Sequence, residues 1–382
     1  MGEKCTLKPH AIMISVPYQG HANPFTHLAI KLASKGFTIT FVHTEDAHHR
    51  ISKSYQERNS TSSSNEVDIF SEARDSGLDI HYTTISDGFP LEFDRSSDPS
   101  LVPFLVADIV YSWAATIAKK YNLVNVSFWP APALVFAINN YYYDHLSTNG
   151  HFPRTGPVNL SSECIKTRVP KSLLFEVDCS KWLESKPPGS VLYVSFGSIV
   201  QTNKQIIEAI AQGLLLSEVS FVWAIRPKIV SSIDDSENVL PAGFEDNIKD
   251  KGLIVPWCNQ NAVLSDPAVG GFLTHCGWNS ILESMSCGVP MICYPVMYDQ
   301  PTNRKLVVDD WKIGVNLCDG ISINGAEVAS KIKQLMCEKT SVDIRNEMMK
   351  LRSILHDALA EEGSSNRNFD QFIQDLKHKM HV

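Results

Sequence analysis

The chain has 382 residues, 43% of them hydrophobic and 20% charged, with a formal net charge of −8. That length suits two domains better than one core, and an acidic balance with no long Lys/Arg block excludes a nucleic-acid-binding surface. The 9 cysteines are scattered, with no Cys-x-x-Cys pair, which points to neither a zinc site nor a disulfide framework and suits a reducing compartment.

No apolar run is long enough to span a bilayer, and the first residues lack the basic-then-apolar pattern of a signal peptide. The expectations are a cytoplasmic protein with no stable membrane insertion and no nucleic-acid partner.

His10 to Val16 reads as a strand, followed by the loop Tyr18 to Asn23. Pro24 suits the first position of a helix that runs to about Gly36. Phe37 to His43 returns as a strand, which makes a β-α-β unit with parallel pairing. Ile80 to Ile85, Phe104 to Val110 and Val124 to Trp129 are further strands, and Ala133 to about Leu146 is helical. His43, His48 and His49 cluster, but at loop spacing, so a solvated surface is expected there and not a metal site.

A second series begins after Lys186-Pro187-Pro188-Gly189. Strands are expected at Val191–Phe196, Ser220–Ile225, Gly252–Val255, Val269–Thr274 and Pro290–Tyr294. Helices are expected at Lys204–Ser217, after Gly277-Trp278-Asn279-Ser280, and near Pro301–Asp310, Gly325–Cys337, Val342–Glu362 and Asn366–Lys379. Two alternating series predict an α/β protein with two doubly wound domains.

The densest chemistry lies between Trp257 and Gln300, which reads WCNQNAVLSDPAVGGFLTHCGWNSILESMSCGVPMICYPVMYDQ. In a doubly wound sheet, ligands sit beyond the carboxyl ends of the strands. The strand Val269–Thr274 ends at His275, and a helix then starts near Asn279 and Ser280. Unbonded amides and the positive helix end suit a diphosphate, with His275, Asn279 and Ser280 as added donors. Helix capping alone would also account for Asn279 and Ser280. Ser198 could add a hydroxyl, or be only a strand-end turn residue. Glu283, four residues after Asn279, can grip the paired hydroxyls of a ribose, and Trp257 offers a flat face to a base.

This stretch resembles the signature box of the plant-type family 1 glycosyltransferases, which move glucose from UDP-glucose to small molecules. The resemblance implies a GT-B fold, two Rossmann-like domains facing a cleft, with the last helix crossing back to the first domain. It assigns residues 1–160 to an acceptor-binding domain, 161–180 to a linker, 181–363 to the UDP-sugar domain and 364–382 to that helix. Trp257 would stack on uracil and Glu283 hold the ribose, while Trp278, Asp299 and Gln300 would contact the sugar. A closing Gln such as Gln300 usually accompanies glucose in this family. Cys258 stands where Ala is common but acts through its backbone. Gln260 matches. Asn259 replaces a Pro, which is expected to loosen the loop that orients Trp257.

The loop Gln19-Gly20-His21-Ala22-Asn23-Pro24 matches the family's catalytic loop, with His21 as general base. Asp108 matches the acid that orients it; the plain alternative is a helix N-cap. The implied reaction is a single inverting displacement that gives a β-glucoside and UDP. There is no Asp-x-Asp, so no metal and no cofactor are expected; the helix end and His275 would stand in for the cation. The expected partner is a small acceptor, phenolic, terpenoid or hormone-like, and the expected state a monomer. The pattern breaks between Asp94 and Leu105 and between Phe152 and Trp182, where the family carries more chain, so the N-terminal domain is expected to be incomplete. A truncated member that binds UDP-sugar without efficient transfer therefore stays open. A dinucleotide-dependent oxidoreductase is disfavoured by the absence of Gly-x-Gly-x-x-Gly.

Overall fold

The computed structural model describes residues 9–16, 19–45, 48–49, 68–86, 115–116, 119, 126–137, 177–198, 200–226, 229–230, 239–318 and 323–380. The chain divides into two compact units, Met1–Pro130 with Glu361–Val382, and Ala131–Ala360.

In the first unit, β1 (His10–Ile14), β2 (Thr38–Thr44) and β3 (Ile80–Ile85) form a parallel sheet in that order. Helix α1 (Gln19–Ser34) lays Phe25, Ala29 and Leu32 on one sheet face, against Met13, Ile39, Phe41 and Ile80. Those helix positions are three and four apart, the spacing of a single apolar stripe. The helix stops on Gly36 at φ +88°; Gly36 N donates to Ala33 O and Phe37 N to Leu32 O, a Schellman end with Leu32 and Phe37 buried together. The C-terminal helix Ser364–Met380 adds Phe369, Phe372, Ile373 and Leu376 to this core. Lys31 Nζ donates to Asn366 Oδ1 at 2.9 Å, and Lys35 pairs with Asp370 at 2.5 Å. Apolar burial along the whole helix face outweighs these half-exposed polar contacts.

The second unit holds β4 (Val191–Ser195), β5 (Ser220–Ala224), β6 (Gly252–Val255), β7 (Val269–Thr274), β8 (Met291–Cys293) and β9 (Gly314–Asn316). All pair in parallel, in the order β6-β5-β4-β7-β8-β9. The chain winds outward from β4 to β6, returns, and winds outward the other way from β7. Alternation sends Val191, Tyr193, Val222, Phe272 and Met291 to one face, and Leu192, Val194, Phe221, Trp223 and Leu273 to the other. α2 (Lys204–Ser217) covers the second face through Ile207, Ile210 and Leu214. α3 (Gln260–Ser265), α4 (Trp278–Cys287) and α7 (Thr340–Leu359) cover the first face with Val263, Ile281, Met285 and Met348. α5 (Gln300–Lys305) follows β8, and α6 (Gly325–Met336) returns to the second face through Val328, Ile332 and Leu335. This is the doubly wound order, with helices over both faces of a sheet whose central strands β4 and β7 are buried throughout.

Several expectations change. The first helix starts at Gln19, not Pro24, so His21 lies in its first turn. Pro24 is the sixth residue of this helix, inside its second turn, where it has no N–H to donate to the Gly20 carbonyl. Of the expected strand Val124–Trp129, residues 126–129 are described, and among them only Phe128 forms a bridge. The expected strand Phe104–Val110 lies outside the described residues, and Asp108 with it. His43 is 2% exposed, inside β2, not on a solvated surface; its Nδ1 and that of His48 meet the Tyr82 hydroxyl at 3.3 and 2.9 Å. β9 and the short helices at Phe244–Ile248 and Gln260–Ser265 were not foreseen. No helix among the described residues is long and apolar enough to cross a membrane.

Ile373→Ala is expected to cost the first unit roughly 2–5 kcal/mol through the cavity it leaves. In a denaturant titration the first unit's transition should move and the second's should not. One transition shifted as a whole would contradict this division of the core.

Candidate functional site

Strand order reverses between β4 and β7, so the turns leaving their carboxyl ends lie side by side with no helix between them. After β4 the chain runs Phe196-Gly197-Ser198; after β7 it runs His275-Cys276-Gly277 into α4. Ser198, in the first turn, is half-buried.

His275 is 9% exposed and packed between the two turns. A Cβ on Gly197 would lie 2.6 Å from its Cε1, and one on Gly277 would lie 2.4 Å from its Nε2. Gly197 also sits at φ +68°, so only glycine meets both demands. Burial, helped by the Arg226 charge, pushes the imidazole down to about 4; the Ser195 backbone acts weakly the other way. Nδ1 makes no hydrogen bond of ordinary geometry. His275 is thus neutral near pH 7 and offers an N–H dipole, not a formal charge.

α4 begins on Gly277 as N-cap, with no side chain closing its end. Asn279 and Ser280 occupy its first turn without serving as its cap, so capping does not account for them. The bonding groups of a helix end point toward His275 and the sheet reversal, the geometry that suits an anion. Cys276 precedes this end at φ +65°, a conformation rare for a side-chain-bearing residue. Thr274 Oγ1 accepts from its N–H at 3.2 Å, and Asn303 Nδ2 donates to its carbonyl at 3.0 Å.

The loop after β6 delivers Trp257, half-buried, and Cys258, 3% exposed. Cys258 Sγ lies 3.6 Å from the Tyr193 hydroxyl, and Val177 N donates to the Trp257 carbonyl at 2.8 Å. Asn259 keeps φ at −69°, the value a proline would impose, and its side chain accepts from Ala262 N at 3.0 Å as the N-cap of α3. The cap bond holds Asn259 at the φ that a proline ring would impose. Gln260 Nε2 donates to Ser280 Oγ at 3.0 Å and to Glu283 Oε2 at 2.7 Å. This joins α3 to α4 and fixes the Glu283 carboxylate.

Asp299 Oδ2 accepts from Asn303 Nδ2 at 2.7 Å. Gln300 is 5% exposed, and its Oε1 accepts from Val296 N and Met297 N, both at 2.9 Å. That oxygen is committed to the backbone, so Gln300 can offer a ligand its amide N–H groups only. Trp278 is half-buried, its ring 6.4 Å from that of Trp311. The structure thus gathers Ser198, His275, Asn279, Ser280, Glu283 and Gln260 at one end of one sheet and ties Asp299 to that end through Asn303. His21 belongs to the other unit, where it is half-buried in the first turn of α1. Two contributors escaped the sequence reading. Asn303 was signalled only by its i+4 spacing from Asp299, and Arg226 had no signal at all.

A doubly wound sheet with a glycine-started helix, a neutral histidine and an oriented carboxylate at its reversal defines a nucleotide-binding unit. Comparison with known proteins agrees. The family model described as UDP-glucoronosyl and UDP-glucosyl transferase matches residues 166–362. UDP-glycosyltransferase 86A1 of Arabidopsis thaliana is 42% identical across 98% of this chain and 95% of its own. For the 7-deoxyloganetin glucosyltransferase of Catharanthus roseus the figures are 29%, 97% and 97%. The structure of Phytolacca americana UGT2 complexed with UDP-2fluoro-glucose and pterostilbene matches with a TM-score of 0.70 at 22% identity, over 96% of this chain and 99% of that one. The chain belongs to the plant-type family 1 UDP-glycosyltransferases, glycosyltransferase enzymes of GT-B fold. The alignment with the Arabidopsis protein spans 478 positions, so at least 96 of them (478 − 382) hold no residue of this chain.

A histidine held neutral lets the folded chain bind fewer protons than the unfolded one between about pH 4 and 6.5. Its contribution is whole above pH 6.5 and is lost as the pH falls toward 4, by roughly 3 kcal/mol. In urea titrations at several pH values, His275→Gln should flatten that acid-side slope by this amount. An unchanged slope would show that His275 is not held neutral.

Proposed function

We propose that this chain transfers glucose from UDP-glucose to a hydroxyl of a small lipophilic acceptor, inverting the anomeric centre to give a β-glucoside and UDP. The observation that carries this reading is the uncapped start of α4, set beside neutral His275 at the sheet reversal, with Glu283 already fixed by Gln260. The α4 amides, Asn279, Ser280 and Ser198 receive the diphosphate. Glu283 receives the ribose hydroxyls, and Trp257 lies against the uracil. The backbone at Cys258 completes the base site. Asp299, Gln300 and Trp278 bound the sugar. No metal or other cofactor is invoked, since neutral N–H donors carry the diphosphate.

His21 takes the proton of the acceptor hydroxyl as its oxygen bonds to the anomeric carbon, and the bond from that carbon to the diphosphate oxygen breaks, releasing UDP. Asp108 orients His21 and stabilises the imidazolium. Glucose as the sugar is supported by the closing Gln300, by the Catharanthus relative's name as a glucosyltransferase, and by the UDP-2fluoro-glucose in the Phytolacca structure. The pterostilbene in that structure supports a phenolic acceptor, with terpenoid and hormone-like ones as further members of the class. The working form is a cytoplasmic monomer.

One observation favours a second reading, donor binding without efficient transfer: the relative's 96 or more positions that have no counterpart here. Mass spectrometry of reactions with UDP-glucose and a panel of phenols separates the two. A glucoside supports transfer, and UDP binding by calorimetry without any product supports the second. His21→Ala is expected to lower product formation by roughly 10²–10⁴-fold while UDP affinity stays unchanged. Equal loss of both would remove His21 as the base.

A further inference from the structure

Arg226 lies just beyond the carboxyl end of β5, the neighbour of β4, and is 2% exposed. Its Nε donates to the Gly197 carbonyl at 3.2 Å and its Nη2 to the Val200 carbonyl. Its Nη1 is buried with no hydrogen-bond partner among the described residues. Both bonded partners are neutral backbone oxygens. Buried arginines are ordinarily paired with a carboxylate, because a lone charge in a poorly polarisable interior is costly.

The position of this charge gives it a use. Gly197, whose carbonyl it holds, presses on His275, and His275 presses on Gly277, the start of α4. The turn is tied to Arg226's own loop a second time, where Thr202 N donates to Ile229 O at 2.9 Å. Arg226, the β4 turn, His275 and the helix end are therefore one contiguous packed group. His275 brings no charge to it. Burial pushes the guanidinium down to about 10, so it is still protonated at neutral pH.

We propose that Arg226 is a positioning residue for the donor diphosphate: its buried guanidinium holds the Gly197 and Val200 carbonyls and supplies, from behind them, the positive charge that a bound diphosphate compensates. This rests on the donor-site reading above. The phosphates meet the amides of α4 and the turn, while the formal countercharge sits one layer behind, undersatisfied until the ligand arrives.

The test uses the full chain with Arg226→Gln, which keeps N–H donors for the two carbonyls, and Arg226→Met, which keeps only the apolar stem. UDP affinity is measured by calorimetry, uridine affinity by competition with UDP, and ligand-free stability by thermal melting. UDP binding should weaken by roughly tenfold or more in both variants, with uridine binding unchanged. The ligand-free melting midpoint of Arg226→Gln should stay at or above that of the wild type, since an uncompensated charge has been removed. Three results overturn the proposal: UDP and uridine affinities falling together, UDP affinity unchanged, or Arg226→Gln melting lower or failing to fold, which would make Arg226 an ordinary structural arginine. If the wild-type chain itself binds no UDP, the donor-site reading fails instead, and the two failures are told apart by that one control.

Discussion

Everything at the donor end of this molecule depends on one contact, an imidazole wedged between two glycines. Gly197 ends the turn after β4, Gly277 opens α4 after β7, and no side chain fits at either where His275 now lies. Two turns 80 residues apart in sequence (277 − 197) can meet only because the strand order reverses between β4 and β7. The reversal leaves their carboxyl ends adjacent without a crossover helix between them. Closing both turns on one ring excludes water from it, keeps it neutral, and aims the helix end at the space beyond the sheet.

Holding that geometry has a conformational cost, and the surrounding residues offset it. Cys276 at φ +65° and Tyr298 at φ +56° are both in the left-handed region, each at a cost of order 1–3 kcal/mol. Thr274 and Asn303 hold the first. Asn303 also bonds Asp299, the residue that follows the second, so one buried amide ties both strained turns together. Gln300 satisfies the backbone of Val296 and Met297 just upstream. α5 thus acts as a clamp that braces the start of α4. The side chains expected to meet the sugar are also those that keep the loop in shape.

What the sequence disclosed and what it hid follow from where each partner lies along the chain. The strands Gly252–Val255 and Val269–Thr274 and the helix Lys204–Ser217 carry their signals locally, as apolar runs and helical periodicity, and their bounds were legible. The Trp257–Gln300 box was legible because its residues are near neighbours in sequence, so a pattern could hold them. Arg226 and Asn303 were not, because they act on backbone carbonyls 29 and 27 residues away, and a carbonyl has no letter in the sequence. The start of α1 differs from the expected one because Pro24, which suits a first helical position, here lies inside the second turn of the helix. The capping role of Asn259 was not legible because it depends on a short helix, Gln260–Ser265, whose six residues carry no clear periodic signal.

The residues proposed for the donor, from Ser198 to Gln300, all belong to Ala131–Ala360, on a sheet whose six described strands follow the doubly wound order. The bonds described above for the site, from Arg226, Gln260, Thr274 and Asn303, run within that unit. Shortening the chain outside that unit leaves the reversal, the two glycines and the α3–α4 tie untouched. His21 stands apart in this respect. It is carried by α1, whose packing rests on a three-stranded parallel sheet and on the C-terminal helix at the far end of the chain. The residues proposed for donor binding and the base proposed for proton removal therefore rest on separate cores, and a change that loosens Phe25, Leu32 or Ile373 would act on the second while sparing the first.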